Sequence, residues 1–127
     1  MTKSVLIIDD EPKITAALMI RLESMGYTVY HAINGLAGVE AAALHEPDAI
    51  ILDIRLPDID GYETCTRIRR FNRLADTPII FLSANVQDEA IVQASNAGGS
   101  MFISKPYEAS SIQRAIEDLT EGRRTAA

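Results

Sequence analysis

"AIILDIRLPDIDG" (residues 49–61) opens with four apolar residues in a row, meets an acid at Asp53, and then breaks into a Pro- and Asp-rich turn ending at Gly61. An unalternating apolar run bounded by turn residues fits a strand covered on both faces, because a half-exposed strand would alternate polar with apolar. Strands of that kind belong to parallel sheets packed between helices. Packing alone gives no reason to put a carboxylate at the mouth of such a strand, so Asp53 directs attention to the carboxyl edge of the sheet.

Similar short runs recur at "SVLII" (4–8), "TVYHA" (28–32), "PIIFL" (78–82) and "SMFIS" (100–104). Helical spacing fills the gaps. Ile14, Ala17, Leu18, Leu22 and Met25 follow the i, i+3, i+4 rule, and Gly26 follows as a stop residue. Ile112, Ala115, Ile116 and Leu119 make a second stripe, with Gly122 just beyond it, and weaker helical patterns cover 36–45, 62–72 and 86–97. Strand and helix in alternation predict right-handed crossovers. The fold class expected is α/β: a doubly wound five-stranded parallel sheet flanked by five helices. Residues 1–122 are read as one domain and 123–127 as a flexible tail or linker stub.

The chain has 127 residues, enough for one real core, and its 47% apolar and 24% charged residues give a globular profile with no disordered signature. A formal net charge of −6 repels polyanions, which disfavours direct nucleic-acid or anionic-membrane binding and favours a protein partner or a cation. Cys65, the single cysteine, cannot form an internal disulfide, and the amino terminus carries no signal-peptide pattern. A cytoplasmic location is expected. No apolar stretch approaches the roughly 18 residues that crossing a bilayer requires, so no membrane insertion is expected.

In open α/β sheets, ligands sit beyond the carboxyl ends of the strands, where strand order reverses. The residues at those ends are Asp9 and Asp10, Asp53, Ser83 and Lys105. Two carboxylates about 5 Å apart repel by about 3 kcal/mol at an effective dielectric near 20, so three together call for protons or a cation. Oxygen ligands without His or Cys suit a hard ion, and Mg²⁺ suits a shallow site with few carboxylates better than Ca²⁺ does. With a lysine and a hydroxyl beside the metal, the set suits phosphoryl transfer to a carboxylate, and Asp53 is the natural nucleophile.

"VLIIDDEP" (5–12), "IILDIRLPDIDG" (50–61), "PIIFLSA" (78–84) and "FISKPY" (102–107), in this order and spacing, resemble the receiver domains of two-component response regulators. The likeness runs over almost the whole chain and implies a flavodoxin-like receiver fold. It also implies that Asp53 accepts a phosphoryl group from a histidine kinase or histidine phosphotransfer protein. Asp10 would then ligate Mg²⁺ directly, Asp9 largely through water, and the Arg55 carbonyl would complete the protein's share of the shell. By the same resemblance Lys105 pairs with the phosphoryl group, a cis bond joins Lys105 to Pro106, and Ser83 turns inward to the phosphoryl oxygen. Phe102 matches the aromatic switch position, while Arg55 and Asn85 match positions that tune phosphoryl lifetime. The fourth helix, fifth strand and fifth helix would form the output face, contacting a downstream output protein or domain or a phosphorylation-dependent dimer partner. Ser100 and Met101 stand where the family often has acids. Pro12, Ile14, Thr15 and Leu18 include groups that the family presents to its phosphodonor, although most of this stripe is expected in the core.

Plainer readings stand beside these. Asp10 also suits an N-cap before Pro12, Ser83 or Asn85 a cap for the fourth helix, Lys105 a solvated turn, and Phe102 simple packing. Cys65 reads as a packed thiol, His31 and His45 as surface or turn residues, and Arg67, Arg69, Arg70 and Arg73 as a solvated helix face. The function expected is a phosphorylation-activated signalling module of a two-component phosphorelay, not an enzyme beyond its own phosphorylation and dephosphorylation. The alternative is a Mg²⁺-dependent phosphohydrolase with an aspartyl-phosphate intermediate, against which Arg55 occupies the place of the usual general acid. A flavin or nucleotide carrier ranks lower, since "DDEPK" offers no phosphate-binding loop.

Overall fold

The structure is a computed structural model, and it describes residues 2–84 and 87–126. Five strands, β1 (Ser4–Ile8), β2 (Thr28–Ala32), β3 (Ala49–Asp53), β4 (Ile79–Ser83) and β5 (Met101–Ser104), form one sheet in the order β2-β1-β3-β4-β5. Every pairing is parallel. Between and after them come α1 (Pro12–Ser24), α2 (Gly35–His45), α3 (Gly61–Arg69), α4 (Asp88–Asn96) and α5 (Ala109–Ala126), with a 3-10 turn at Asn72–Leu74. The doubly wound five-stranded sheet expected from the alternation is the one found.

The period of two along each strand divides the core. On β1, Val5 and Ile7 face one layer with Ile51, Ile80, Leu82 and the α1 and α5 residues Leu18, Leu22, Ile112 and Ile116. Leu6 and Ile8 face the other with Ile50, Leu52, Phe81, Cys65 and Ile68. All five residues of β3 and of β4 are buried, as strands covered on both faces must be. Strand order reverses between β1 and β3, so the crevice expected to bind a ligand opens between their carboxyl ends.

Several local expectations change. Asp53 is the last residue of β3 and not the first beyond it. Gly26 does end the first helical segment, with φ +98, but Gly122 does not stop α5, which continues to Ala126. One helical glycine costs only about 1 kcal/mol, too little to end a helix whose stripe is already packed. Ile14, 43% exposed, and Ala17 lie outside the core although they share the stripe of Leu18 and Leu22. Arg69 is not solvated: its guanidinium donates to the carbonyls of Leu74, Thr77 and Gly98. Arg67 and Arg73 do pair outward, with Glu63 and Glu46. His45 stacks on Tyr30 with ring centroids 3.8 Å apart, and His31 is half-buried on β2.

Candidate functional site

Asp53 is held at the end of the central strand and is only 4% exposed. Its Oδ1 accepts from the Arg55 backbone N–H at 2.9 Å, and its Oδ2 is paired with the Lys105 ammonium. Lys105 comes from the loop after β5. Its own N–H donates to the Ser83 carbonyl at 2.8 Å, and its bond to Pro106 is cis, as the resemblance implied. Ser83 ends β4 beside Ser104 of β5. Asp53, Ser83 and Lys105 thus line one cleft of about 450 Å³ together with Asp10, Glu11 and Arg55.

Across the cleft stands the loop from β1 to α1. Asp9 is 2% exposed and its Oδ1 accepts from the Glu11 N–H at 2.9 Å. One carboxylate oxygen each from Asp9, Glu11 and Asp53 lie within 4.8 Å of one another. At that separation each pair repels by about 3 kcal/mol at an effective dielectric of 20, and the Lys105 ammonium, 3.7 Å from Glu11, offsets part of it. Burial, with the neighbouring Asp53 charge, pushes the Asp9 carboxyl above its usual range despite the Glu11 N–H. Lys105 moves up: burial acts downward, but the hydrogen bond and charge of Asp53, with Asp9 and Glu11, prevail. Three crowded oxygens with a single lysine between them fit a hard divalent cation by donor chemistry.

Asp10 is exposed and lines the cleft, but its carboxylate is not one of the clustered three. Nor is Asp10 the helix cap, because Glu11 takes the N-cap position of α1 and Pro12 the first helical one. Glu11, which the sequence reading did not name, is the third of the cluster. The signal available was "DEP": with Pro12 at N1, the residue before it is the last non-helical one and stays at the strand mouth. Ser83 belongs to its strand, and α4 is entered through Gln87 with no side-chain cap. Asn85 lies outside the described residues. Phe102 is half-buried, sits beside Phe81 in the β4–β5 register and packs on the core layer under α4.

Local chemistry also fixes the loop from Asp53 to α3. Asp60 caps α3 by accepting from the Glu63 N–H at 2.8 Å. Asp58 reaches across to accept from the Gly35 and Leu36 N–H groups, both at 2.8 Å, at the start of α2. Slight desolvation pushes the Asp58 carboxyl up, but those N–H bonds outweigh it and hold it below the usual range. Next to the cleft, α1 and the segment after Lys105 bound a groove of about 710 Å³, where Ile14, Ala17 and Leu18 face Pro106 and Tyr107.

A doubly wound sheet carrying acids, a hydroxyl and a lysine at its switch point defines a class of α/β domains built around an aspartate at the end of the central strand. The sequence pattern of the response regulator receiver domain matches residues 5–117, and the chain belongs to that family. It is 37% identical over 115 residues to the DNA-binding dual master transcriptional regulator RpaA of Synechocystis sp., covering 91% of this chain and 48% of that protein. It is 42% identical over 103 residues to the transcriptional regulatory protein KdpE of Mycobacterium tuberculosis, covering 81% and 44%. The chain therefore spans about half the length of these curated relatives. Among solved structures, the receiver domain of the sensor histidine kinase PA1611 from Pseudomonas aeruginosa PAO1 is 29% identical, with a TM-score of 0.88 over 95% of this chain and 99% of that one. That structure has a magnesium ion coordinated in the active site cleft. Among the described residues of the present chain, no helix is long and apolar enough to cross a membrane.

Proposed function

We propose that Asp53 is the phosphoacceptor of this receiver domain, taking its phosphoryl group from a histidine kinase or histidine phosphotransfer protein, and that the chain signals and does not turn over other substrates. The observation carrying this reading is the pairing of a nearly buried Asp53 with Lys105 in a cleft that also gathers Asp9 and Glu11. In the step proposed, a carboxylate oxygen of Asp53 attacks phosphorus in line. The new O–P bond forms as the P–N bond to the donor imidazole breaks, and the imidazole keeps the bonding pair and leaves neutral, its other nitrogen protonated. The Arg55 N–H holds the carboxylate plane in place, and the Lys105 ammonium stays within reach of the oxygens of the transferring group.

Mg²⁺, when bound, neutralises negative charge on the transferring phosphoryl oxygens. Asp9, Asp53 and the Arg55 carbonyl would hold it, with Asp10 or Glu11 supplying a further carboxylate from the same loop. Ser83, at the end of β4, would donate its hydroxyl to the phosphoryl oxygen, and Phe102 would report that change to the face formed by α4, β5 and α5. The apolar groove beside Lys105 suits the helical surface of a phosphodonor. Division into a domain at 1–122 and a tail or linker stub at 123–127, into which α5 runs on, belongs to the same proposal, as does an output partner or dimer.

The test is labelling by acetyl phosphate with Mg²⁺. The expected result is one phosphoryl group per chain, lost in Asp53→Asn. Labelling that persists on another residue would refute the assignment, and steady phosphate release from varied monoesters would favour a phosphohydrolase.

A further inference from the structure

His31 is a half-buried residue of the edge strand β2, and its ring Nε2 lies 2.9 Å from the main-chain carbonyl oxygen of Asp9. A carbonyl oxygen can only accept, so Nε2 carries the proton and donates. The β1–β2 ladder ends at the pair Ile8 and Ala32. One residue on, the Asp9 N–H still reaches the Ala32 carbonyl at 3.1 Å. Past Ala32, β2 turns away towards α2, whose cap is Asn34. The His31 ring takes over where the strand stops, so the Asp9 residue is gripped from β2 at both its N–H and its C=O.

The neighbouring contacts make that grip matter to the cleft. The Asp9 carboxylate accepts from the Glu11 N–H, and the Glu11 carbonyl accepts from the Thr15 N–H at 3.0 Å and from its hydroxyl at 2.9 Å. Fixing the Asp9 main chain therefore fixes where two of the three clustered carboxylates start. We propose that His31 is a positioning residue of the cation site, acting through Asp9 to hold the carboxylates of Asp9 and Glu11 in register with Asp53. The inference rests on reading the cleft as a divalent-cation and phosphoryl site.

The test compares His31→Gln with His31→Asn by Mg²⁺ titration calorimetry. The glutamine amide reaches as far as Nε2, whereas the asparagine amide stops about one bond short. His31→Asn is expected to raise the Mg²⁺ dissociation constant three- to tenfold, the range of one lost hydrogen bond, while His31→Gln stays within twofold of wild type. In acetyl phosphate labelling, the Mg²⁺ concentration giving half the maximal rate should shift in His31→Asn by the same factor, with the rate at saturating Mg²⁺ unchanged. His31→Thr, short and suited to a strand, repeats the asparagine arm if that variant folds poorly. Equal weakening by Gln and Asn, or binding within twofold of wild type in every variant, would overturn the positioning role while leaving the cation site standing. A wild-type protein that binds no Mg²⁺ would remove the site itself, and this inference with it.

Discussion

Gly61 tests how tightly the fold holds Asp53. It is the first residue of α3, and its N–H donates to the Ile54 carbonyl at 2.8 Å, folding the helix start back onto the end of β3. A Cβ at this position would lie 2.5 Å from the Asp53 carbonyl oxygen and 2.7 Å from the Ile54 Cα. Both are main-chain atoms at the end of a central strand, and neither can rotate away. Two effects oppose each other in Gly61→Ala. Helix propensity favours alanine by at most about 1 kcal/mol, and overpacking against a fixed wall costs about 1–3 kcal/mol or more. With backbone on the far side of the contact, the steric cost should win, for a net loss of about 2 kcal/mol.

Urea unfolding reads this directly. With a slope of about 2 kcal/mol/M, the midpoint of Gly61→Ala should fall by about 1 M. The displaced segment also carries the Arg55 N–H that holds Asp53 Oδ1, so the folded variant should label more slowly with acetyl phosphate. Gly26→Ala is the control. Gly26 has φ +98 and nothing within 4 Å of its Cβ position, so alanine there costs about 1–2 kcal/mol through left-handed strain alone. It should lose stability and keep its labelling rate. A Gly61→Ala protein as stable as wild type, or one that labels at the wild-type rate, would refute the packing argument.

Two further outcomes follow from the charges and the core. Because folding raises the Asp9 pKa, its ionisation opposes folding at neutral pH, and the penalty fades as pH falls through the raised value towards 3.8. In EDTA, Asp9→Asn should therefore be more stable than wild type at pH 7 and nearly equal to it below pH about 4; a less stable variant at pH 7 would be the contrary result in urea melts. Cys65 is fully buried and its thiol is pushed up to about 11, chiefly by burial. At pH 8 only about one thiol in a thousand is ionised, so an aromatic disulfide reagent should modify it only on unfolding, and stoichiometric reaction of the native protein within minutes would contradict the packing.

What the sequence revealed and what it hid divide along the distance over which each signal acts. The strand at 49–53 was legible because burial on both faces leaves a local mark, an apolar run without alternation. Asp53, Ser83 and Lys105 were legible because each ends or directly follows such a run, and a parallel sheet brings all those ends to one edge. Glu11 and His31 were not. Whether Asp10 or Glu11 turns its carboxylate towards Asp53 depends on the path of one loop, which Pro12 and the Asp9–Glu11 bond determine together. His31 matters only because β2 is the neighbour of β1, and strand order leaves no trace in periodicity. Ile14 and Ala17 misled because an apolar stripe cannot say where the core stops and an open groove begins.

The same geometry limits where a change at the cleft could be felt. Beyond the cleft, β4 and β5 run side by side, with Phe81 beside Phe102 and Ser83 beside Ser104. At the end of this pair remote from the cleft, Arg69 of α3 donates to the carbonyls of Leu74, Thr77 and Gly98 at once, and Gly99 packs against the Phe81 ring. One guanidinium satisfying three main-chain carbonyls is costly to disturb, since any shift strands a donor or an acceptor away from water. At the cleft end, the Lys105 N–H to Ser83 carbonyl bond crosses between the strands, and both residues line the cleft. A phosphoryl group arriving on Asp53 would therefore act on a strand pair clamped at one end. The yielding end would be the one that carries Ser83 and Lys105, and Phe102 lies between the two.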